Sequence, residues 1–290
     1  MEARLRFHPL LCYLDETGEA LAGVLREGNA GSNTAAADHI RVLELALGQL
    51  PADALDGKIL ARSDSAGASH DFAAALHETN VRFSLGFAIT ETLRQAILDL
   101  PETAWVPAIS QDGTDRDGAW VSEITGFVDL TAWPDGSRLL VRRERPHPGA
   151  QLSFTDIAGH RFQCVLTDQA GTDLALIEAR HRAHARVEDR IRCARDAGLK
   201  NLPFSAFEAN ACWLELVLCA QDLICFTQRL LLDGELASCE PKRLRYRLLH
   251  VAGRITRHAR NTRLRLPRSW PWATALLAAF TRLRVLPAPG

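Results

Sequence analysis

Short apolar runs and apolar positions at helical spacing alternate along the first hundred residues. Each short run between turn residues predicts a strand, and each recurrence at three and four residues predicts a helix. The predicted strands are 7–14, 19–25, 57–61 and 81–89. The predicted helices are 34–50, 70–79 and 91–100. The first two strands form a predicted hairpin through residues 15–18, and the whole pattern is typical of an α/β fold.

The pattern changes between residues 105 and 170. Short apolar runs there are divided by turn residues such as Asp112-Gly113 and Pro134-Asp135-Gly136, which predicts an all-β insertion. After the insertion, apolar residues recur at helical spacing again. The helices predicted from this spacing are 180–199, 205–232 and 270–283. An amphipathic basic segment at 242–268 is expected to form a helical basic C-terminal part.

The helix predicted at 180–199 carries a dense row of charged side chains. Its apolar row, Val187, Ile191 and Ala194, marks the buried face. A neighbouring row places one carboxylate among bases, and its members are His181, His184, Glu188, Arg192 and Arg195. Two interpretations of this row are open. It is either a solvated face with i,i+4 ion pairs, or a metal-binding glutamate flanked by groups that hold phosphate.

A net charge of −1 hides a strong charge asymmetry. Residues 241–290 contain twelve Lys or Arg and no Asp or Glu, which leaves 22 basic and 35 acidic side chains elsewhere. We favour a polyanion partner, DNA, over a merely solvated basic helix, because so many unpaired cations repel one another. The bases expected to contact backbone phosphates are Arg243, Arg247, Arg254, Arg257, His258 and Arg265.

Cysteine usage and hydropathy point to a cytoplasmic protein. The seven cysteines form no Cys-x-x-Cys pair, and four of them fall in apolar helical stretches. Buried thiols in a reducing compartment are therefore expected rather than disulfides or zinc ligands. Polar residues interrupt the apolar helix at 209–232, so we expect a core helix and no membrane partner. These residues are Glu215, Gln221, Asp222 and Gln228.

The charged helix resembles the glutamate signature of bacterial insertion-sequence DDE transposases, which places Tyr, Arg, Glu and Lys at fixed spacing. With Glu188 in register, His181 stands at the Tyr position, His184 at the Arg position and Arg195 at the Lys position. Only the glutamate is identical. Several other runs resemble the thirteen-eighty group of these elements. They are Phe7-His8-Pro9-Leu10-Leu11, Gly28 to Thr34, Arg62-Ser63-Asp64-Ser65-Ala66-Gly67, Gly198-Leu199-Lys200-Asn201-Leu202-Pro203 and Arg254 to Pro267.

This resemblance implies a ribonuclease H-like, retroviral-integrase-like catalytic core. It implies that Asp64 and Glu188 are catalytic carboxylates that hold two Mg²⁺ or Mn²⁺ ions for phosphodiester hydrolysis and strand transfer. On position alone, we would favour Asp64 as a helix cap before 70–79. The implied partners are double-stranded DNA, as terminal inverted repeats and target, and a second copy in a homodimer. The implied location is the nucleoid.

The resemblance divides the chain into four expected parts. Residues 1–104 are the first part of the ribonuclease H-like core, 105–170 the β-rich insertion, 171–235 the glutamate helix with its covering helix, and 236–290 the basic DNA-contacting region. A third carboxylate is expected before Phe7, yet only Glu2 is acidic there, and Asp15 belongs to a turn.

We therefore expect an N-terminally truncated, inactive transposase that lacks the first strand of the sheet. Three functional hypotheses stay open: a metal-dependent DDE transposase, a non-catalytic DNA-binding remnant of one, and a different metal nuclease of similar fold.

Overall fold

The computed structural model describes residues 7–28, 36–55, 59–146, 149, 156–157 and 159–287. The chain forms two compact units, the first from residues 1–10 and 26–186 and the second from residues 11–25 and 187–290. Most of the run from Gly28 to Thr34, and with it the start of the predicted helix 34–50, lies outside the described residues.

The described elements follow the predicted order closely in the first hundred residues. The strands are β1 (His8–Tyr13), β2 (Ala20–Arg26), β3 (Leu60–Ser63), β4 (Arg82–Phe87), β5 (Val106–Ile109), β6 (Asp115–Glu123), β7 (Arg138–Glu144), β8 (Asp156–Ile157), β9 (His160–Thr167), β10 (Arg254–His258) and β11 (Asn261–Arg265). The α-helices are α1 (Ala36–Leu47), α2 (Ala52–Leu55), α3 (His70–Glu78), α4 (Glu91–Leu98), α5 (Leu174–Arg182), α6 (Arg186–Ala194), α7 (Phe207–Phe226), α8 (Pro241–Leu244) and α9 (Ala273–Leu283). A mixed α/β fold is confirmed, and the ribonuclease H-like arrangement stays a prediction.

One mixed sheet dominates the first unit, with strands in the order β3-β4-β9-β7-β6-β5 and β8 paired to β9. The β3 and β4 strands are parallel, and the remaining pairs are antiparallel. The strands expected in a separate all-β insertion do form. They extend the sheet that contains β3, because β9 pairs directly with β4.

The core of the first unit lies against this sheet. Consecutive side chains of the central strands β4, β7 and β9 are buried, and helices α3 and α4 contribute apolar side chains to the same core. The buried residues at the centre are Leu76, Phe83, Leu85, Leu139, Val141 and Leu166. Each fully buried Leu or Phe stabilises the unit by about 1.5–3 kcal/mol relative to an exposed position. Strand β4 pairs with β3 on one side and with β9 on the other, and this pairing fixes the position of the end of β3 in the sheet.

In the second unit, the predicted hairpin of β1 and β2 is confirmed and packs on α7. The Ala20 N–H donates to Asp222 Oδ1 at 2.7 Å, and Tyr13 Oη lies 3.4 Å from Gln221 Oε1. Gly23 allows close packing, because a Cβ there would come within 2.6 Å of Leu218. The hairpin thus covers one face of α7, where Leu214 and Val217 are also buried.

The other face of α7 is more open than predicted for a core helix. Leu216 and Leu223 are exposed, and so are Cys212 and Cys219, two of the cysteines expected to be buried. All seven cysteines are free thiols. By length and composition the span Phe207–Leu231 could cross a membrane, but a core helix of a soluble protein passes the same test, so this is weak support for a membrane location.

The predicted helical form of the basic C-terminal part is wrong for most of its length. Helix continues only from α8 through Leu249, and residues 254–265 form the β10–β11 hairpin instead. We call this hairpin the basic ribbon. Arg254 and Arg257 therefore lie on a strand with a two-residue period rather than on a helix face. The predicted last helix is present as α9.

Candidate functional site

Asp64 occupies the position that the sequence indicated, directly after the carboxyl end of β3. Its side chain is exposed and accepts a hydrogen bond from the Ala66 N–H at 3.0 Å, so that it caps a short 3₁₀ turn at Ser65–Gly67. The cap of α3 is a different residue, since Ser69 Oγ accepts from the Phe72 N–H at 3.3 Å. Asp64 is therefore a turn cap, and one of its carboxylate oxygens is not needed for that bond.

Gly86 on β4 holds the backbone around Asp64 in place by its lack of a side chain. A Cβ at Gly86 would lie 2.8 Å from Ser65 N and 3.0 Å from the Asp64 carbonyl carbon. Real Cβ atoms do not approach backbone this closely, so the chain after β3 packs against β4 only because residue 86 is glycine. The orientation of Asp64 thus depends on a residue of the neighbouring strand.

Replacing Gly86 by alanine is expected to destabilise the protein by about 1–3 kcal/mol, because the turn after β3 must move away from β4. Urea unfolding measures the loss. Gly126→Ala is the matched control, since nothing lies within 4 Å of a Cβ there and the backbone is not left-handed. Equal stability of the two variants would show that the turn does not rest on β4.

The charged helix is divided by changes in helical form. Helix α5 ends at Arg182, a 3₁₀ turn follows at Ala183–Ala185, α6 runs from Arg186, and a wider π turn at Arg195–Leu199 ends where Gly198 takes φ +146°. The single α-helical face predicted for the charged row requires one uninterrupted α-helix. The structure interrupts it between His184 and Glu188, so the row is not one continuous face.

His181 lies in a half-buried position against the sheet. Its Nδ1 is 3.0 Å from Ser84 Oγ and 3.3 Å from the Ser84 carbonyl oxygen on β4. Burial, with a smaller contribution from neighbouring His184, lowers the pKa of His181 to about 4. The imidazole is therefore uncharged at neutral pH, and the DNA-binding role expected for His181 stays a prediction. Its ring stacks at 6.4 Å on that of His184.

The remaining members of the row lie on and after α6. Glu188 is exposed and has no hydrogen bond or ion pair with any described residue. Arg192 pairs with Asp189 at 3.1 Å and with Glu240 at 2.6 Å, as the solvated-face interpretation expects. Arg195 is exposed and has no carboxylate partner among the described residues. Of the two arginines in the row, Arg195 is therefore the one whose charge is not paired with a carboxylate among the described residues.

The basic C-terminal residues divide into paired and unpaired groups. Arg243 and Arg247 both form ion pairs with Glu235, at 3.3 and 2.9 Å. Glu235 lies just before residues 241–290, the segment that contains no Asp or Glu. Arg254 and Arg257 have no carboxylate partner among the described residues. Of these four arginines, the two without a carboxylate partner lie on the basic ribbon.

Sequence reasoning missed a buried charge network beneath α5. Glu178 contacts Arg142 of β7 at 3.0 Å and Arg182 at 2.8 Å, and Arg142 also contacts Glu144 at 3.4 Å. The network anchors α5 on the sheet. The only sequence signal for this network is a Glu at a buried helical position. In the sequence, that Glu cannot be distinguished from the other charged residues of the helix.

The implied metal ions need several converging oxygen ligands. No group of three or more His, Cys, Asp or Glu side chains that could hold a metal occurs among the described residues. Asp64 belongs to the first unit and Glu188 to the second. The roles of Asp64 and Glu188 as metal ligands stay a prediction.

The family model described as transposase DDE domain group 1 matches residues 4–288. The match spans nearly the whole chain and includes Asp64, the helices around Glu188 and the basic ribbon. A comparison with curated proteins finds no match.

Proposed function

This chain belongs to the transposase DDE domain family, and on that premise we propose that it acts in DNA transposition as a protein that binds duplex DNA. The family match carries the proposal. The unpaired cations of the second unit support it, because DNA binding of this kind depends on Lys or Arg that can displace counterions from phosphates. The ligands proposed are terminal inverted repeats and target DNA, and the location proposed is the nucleoid.

For the chemistry, we propose that the carboxylates of Asp64 and Glu188 are metal ligands. DDE transposases normally use divalent metals, and Asp64 and Glu188 are the residues that match the family's motif. Both are exposed and have free carboxylate oxygens, which suit Mg²⁺ or Mn²⁺. A ribonuclease H-like core and a homodimer belong to the same proposal.

DNA binding without cleavage is the activity we propose for this chain by itself. The specific observation in its favour is that no third metal-binding side chain joins either carboxylate among the described residues. The phosphate-binding set proposed is Arg195, Arg254 and Arg257, with smaller contributions from Arg192, Arg243 and Arg247, whose charges are already paired. His181, whose Nδ1 lies 3.0 Å from Ser84 Oγ, positions the helix on the sheet, and a contact of His181 and His184 with DNA belongs to the same proposal.

The amide variants Asp64→Asn and Glu188→Gln test the metal hypothesis. We expect Mn²⁺ to raise the unfolding temperature of the wild type, since a ligand at ten times its Kd stabilises a folded protein by about 1.4 kcal/mol. Each variant is expected to lose most of that shift and to keep its affinity for duplex DNA. Thermal unfolding with and without Mn²⁺, and a plasmid-nicking assay, provide the measurements.

Asp71→Asn is the matched control, because Asp71 is an exposed carboxylate in the first turn of α3. A metal shift that Asp71→Asn removes as fully as Asp64→Asn would indicate non-specific binding. Metal-dependent nicking that disappears in Asp64→Asn would overturn binding without cleavage and establish the enzyme hypothesis instead.

A further inference from the structure

The two strands of the basic ribbon place different side chains on its two faces. Residue pairs across the ribbon are Arg254 with Arg265, Thr256 with Arg263 and His258 with Asn261, and they alternate with Ile255–Leu264 and Arg257–Thr262. Successive side chains of a strand point to opposite faces. One face is therefore wholly polar, and we call it the polar face. It consists of Arg254, Thr256, His258, Asn261, Arg263 and Arg265.

Neither face of the ribbon is covered. Every residue of β11 is exposed, and Ile255 and Leu264 on the opposite face are each 65 % exposed. A two-stranded hairpin alone in water is marginally stable, because it buries little apolar surface. The ribbon is thus an element whose stability is expected to rise when a partner covers it.

The charge of the ribbon indicates the nature of that partner. Its arginines at 254, 257, 260, 263 and 265 have no carboxylate partner among the described residues. Arg254 and Arg265 are directly opposite each other, an arrangement that is destabilising for like charges on one face of a ribbon. A dense array of negative charge would remove this repulsion, so the complementary ligand is a polyanion.

We propose that the polar face of the basic ribbon lies in the major groove of duplex DNA. The major groove of B-DNA is wide enough to admit a two-stranded ribbon, and its base edges carry the pattern that distinguishes all four base pairs. This proposal rests on the proposed function. It adds the ribbon as a specific binding element, with residues that the sequence either did not assign to DNA binding or placed on a helix. Arg254 and Arg265, at the open end of the ribbon, contact phosphates at the edge of the groove.

Two residues of the polar face have the chemistry to read bases. Arg263 matches the two acceptors of guanine, and Asn261 matches the donor and acceptor of adenine in the major groove. They lie at alternate positions of β11 and so point to the same side. The ribbon therefore gives sequence preference as well as affinity, whereas phosphate contacts alone give affinity only.

The phosphate contacts are tested with the double variant Arg254→Gln plus Arg265→Gln of the full chain. Fluorescence anisotropy of a labelled mixed-sequence 30-base-pair duplex in EDTA, as a function of salt, is the measurement. We expect affinity to fall roughly 50-fold at about 0.1 M salt and the slope of log K against log salt to decrease by about 2. The ribbon is exposed, so the unfolding temperature is expected to stay unchanged.

The control is the double variant Arg41→Gln plus Arg94→Gln, which removes the same charge from α1, where Arg41 is exposed, and from α4, where Arg94 is partly exposed and pairs with Glu91. An equal loss of affinity in the control would overturn the proposal in favour of bulk charge. Unchanged binding in the ribbon variant would overturn it directly. If the wild type does not bind the duplex, both the proposed function and the ribbon assignment fail. If the wild type binds and the ribbon variant binds equally well, only the ribbon assignment fails.

Base reading is tested by selecting preferred sites from a randomised duplex pool. Asn261→Ala and Arg263→Gln are each expected to relax preference at one base pair, whereas Arg254→Gln leaves the selected sequence unchanged. Identical selected sequences for wild type and Asn261→Ala would overturn base reading by this residue. Tighter binding of the wild type to phosphatidylserine vesicles than to the duplex would overturn DNA as the partner.

Discussion

Replacing Glu178 by alanine is expected to lower the free energy of unfolding by about 3–5 kcal/mol. The Glu178 side chain is 3 % exposed and that of Arg142 is 10 % exposed, so the two charges face each other at 3.0 Å with little water. Burial raises the pKa of Glu178 and lowers that of Arg182, which shows that desolvation opposes the attraction within the network. The pair contributes little net stability, but without Glu178 the buried Arg142 guanidinium keeps only Glu144, at 3.4 Å, as a carboxylate partner, and this loss is costly.

Urea unfolding of three variants separates these effects. Glu91→Ala is the matched control, because Glu91 forms an exposed pair with Arg94 at 3.1 Å, and such pairs contribute about 0–1 kcal/mol. The double variant Glu178→Ala plus Arg142→Ala is expected to cost less than the sum of the single variants, since each single change breaks the same pair. A Glu178→Ala loss no larger than that of Glu91→Ala would show that α5 is not anchored through this network.

Local elements were predictable because their signals are local. Helix α3 begins at His70 and ends at Glu78, against a prediction of 70–79, because Ser69 caps it and its apolar positions recur at helical spacing. The position of Asp64 followed from an apolar run ending at a polar turn. These features depend on residues within a few positions of one another.

The sheet order was not predictable, because its pairings join distant residues. Ser84 of β4 pairs with Thr167 of β9, and Thr167 Oγ1 donates to the Phe83 carbonyl oxygen at 2.6 Å. An alternating pattern shows that a strand has a buried face, but it does not identify its neighbour. The contact of His181 with Ser84 was not predictable for the same reason, since the two residues are 97 positions apart in the sequence.

The basic ribbon was predicted as helix because Leu248, Val251 and Ile255 recur at helical spacing. Its turn has no Gly, Pro or Asn-Gly signal, and Ala259 adopts φ +52°, a conformation that L-residues rarely take. The strand period of Ile255, Arg257 and their neighbours was present in the sequence. It was the weaker signal, because arginine suits an exposed helix as well as an exposed strand.

The half-buried His181 predicts a loss of stability in acid. Its pKa of about 4 in the folded protein lies below the ordinary value of 6.5, so the unfolded chain binds more protons between these two values. The stability that neutral His181 provides is fully present above about pH 6.5 and is lost as the pH falls towards about 4. Protonation would place a cation beside His184, Arg62 and Arg142, which all oppose it.

We expect His181→Asn to remove about 1–2 kcal/mol of the decrease in unfolding free energy between about pH 7 and pH 5. Asparagine does not titrate, and its side-chain amide can take the place of Nδ1 beside Ser84. Urea unfolding of both proteins across this range measures the difference, which should shrink as the pH falls. His77→Asn, at the exposed end of α3, is the control and should leave the pH dependence unchanged. Parallel pH profiles for wild type and His181→Asn would mean that the pKa of His181 is the same in the folded protein as in the unfolded chain, so that the imidazole becomes positively charged as the pH falls through about 6.5.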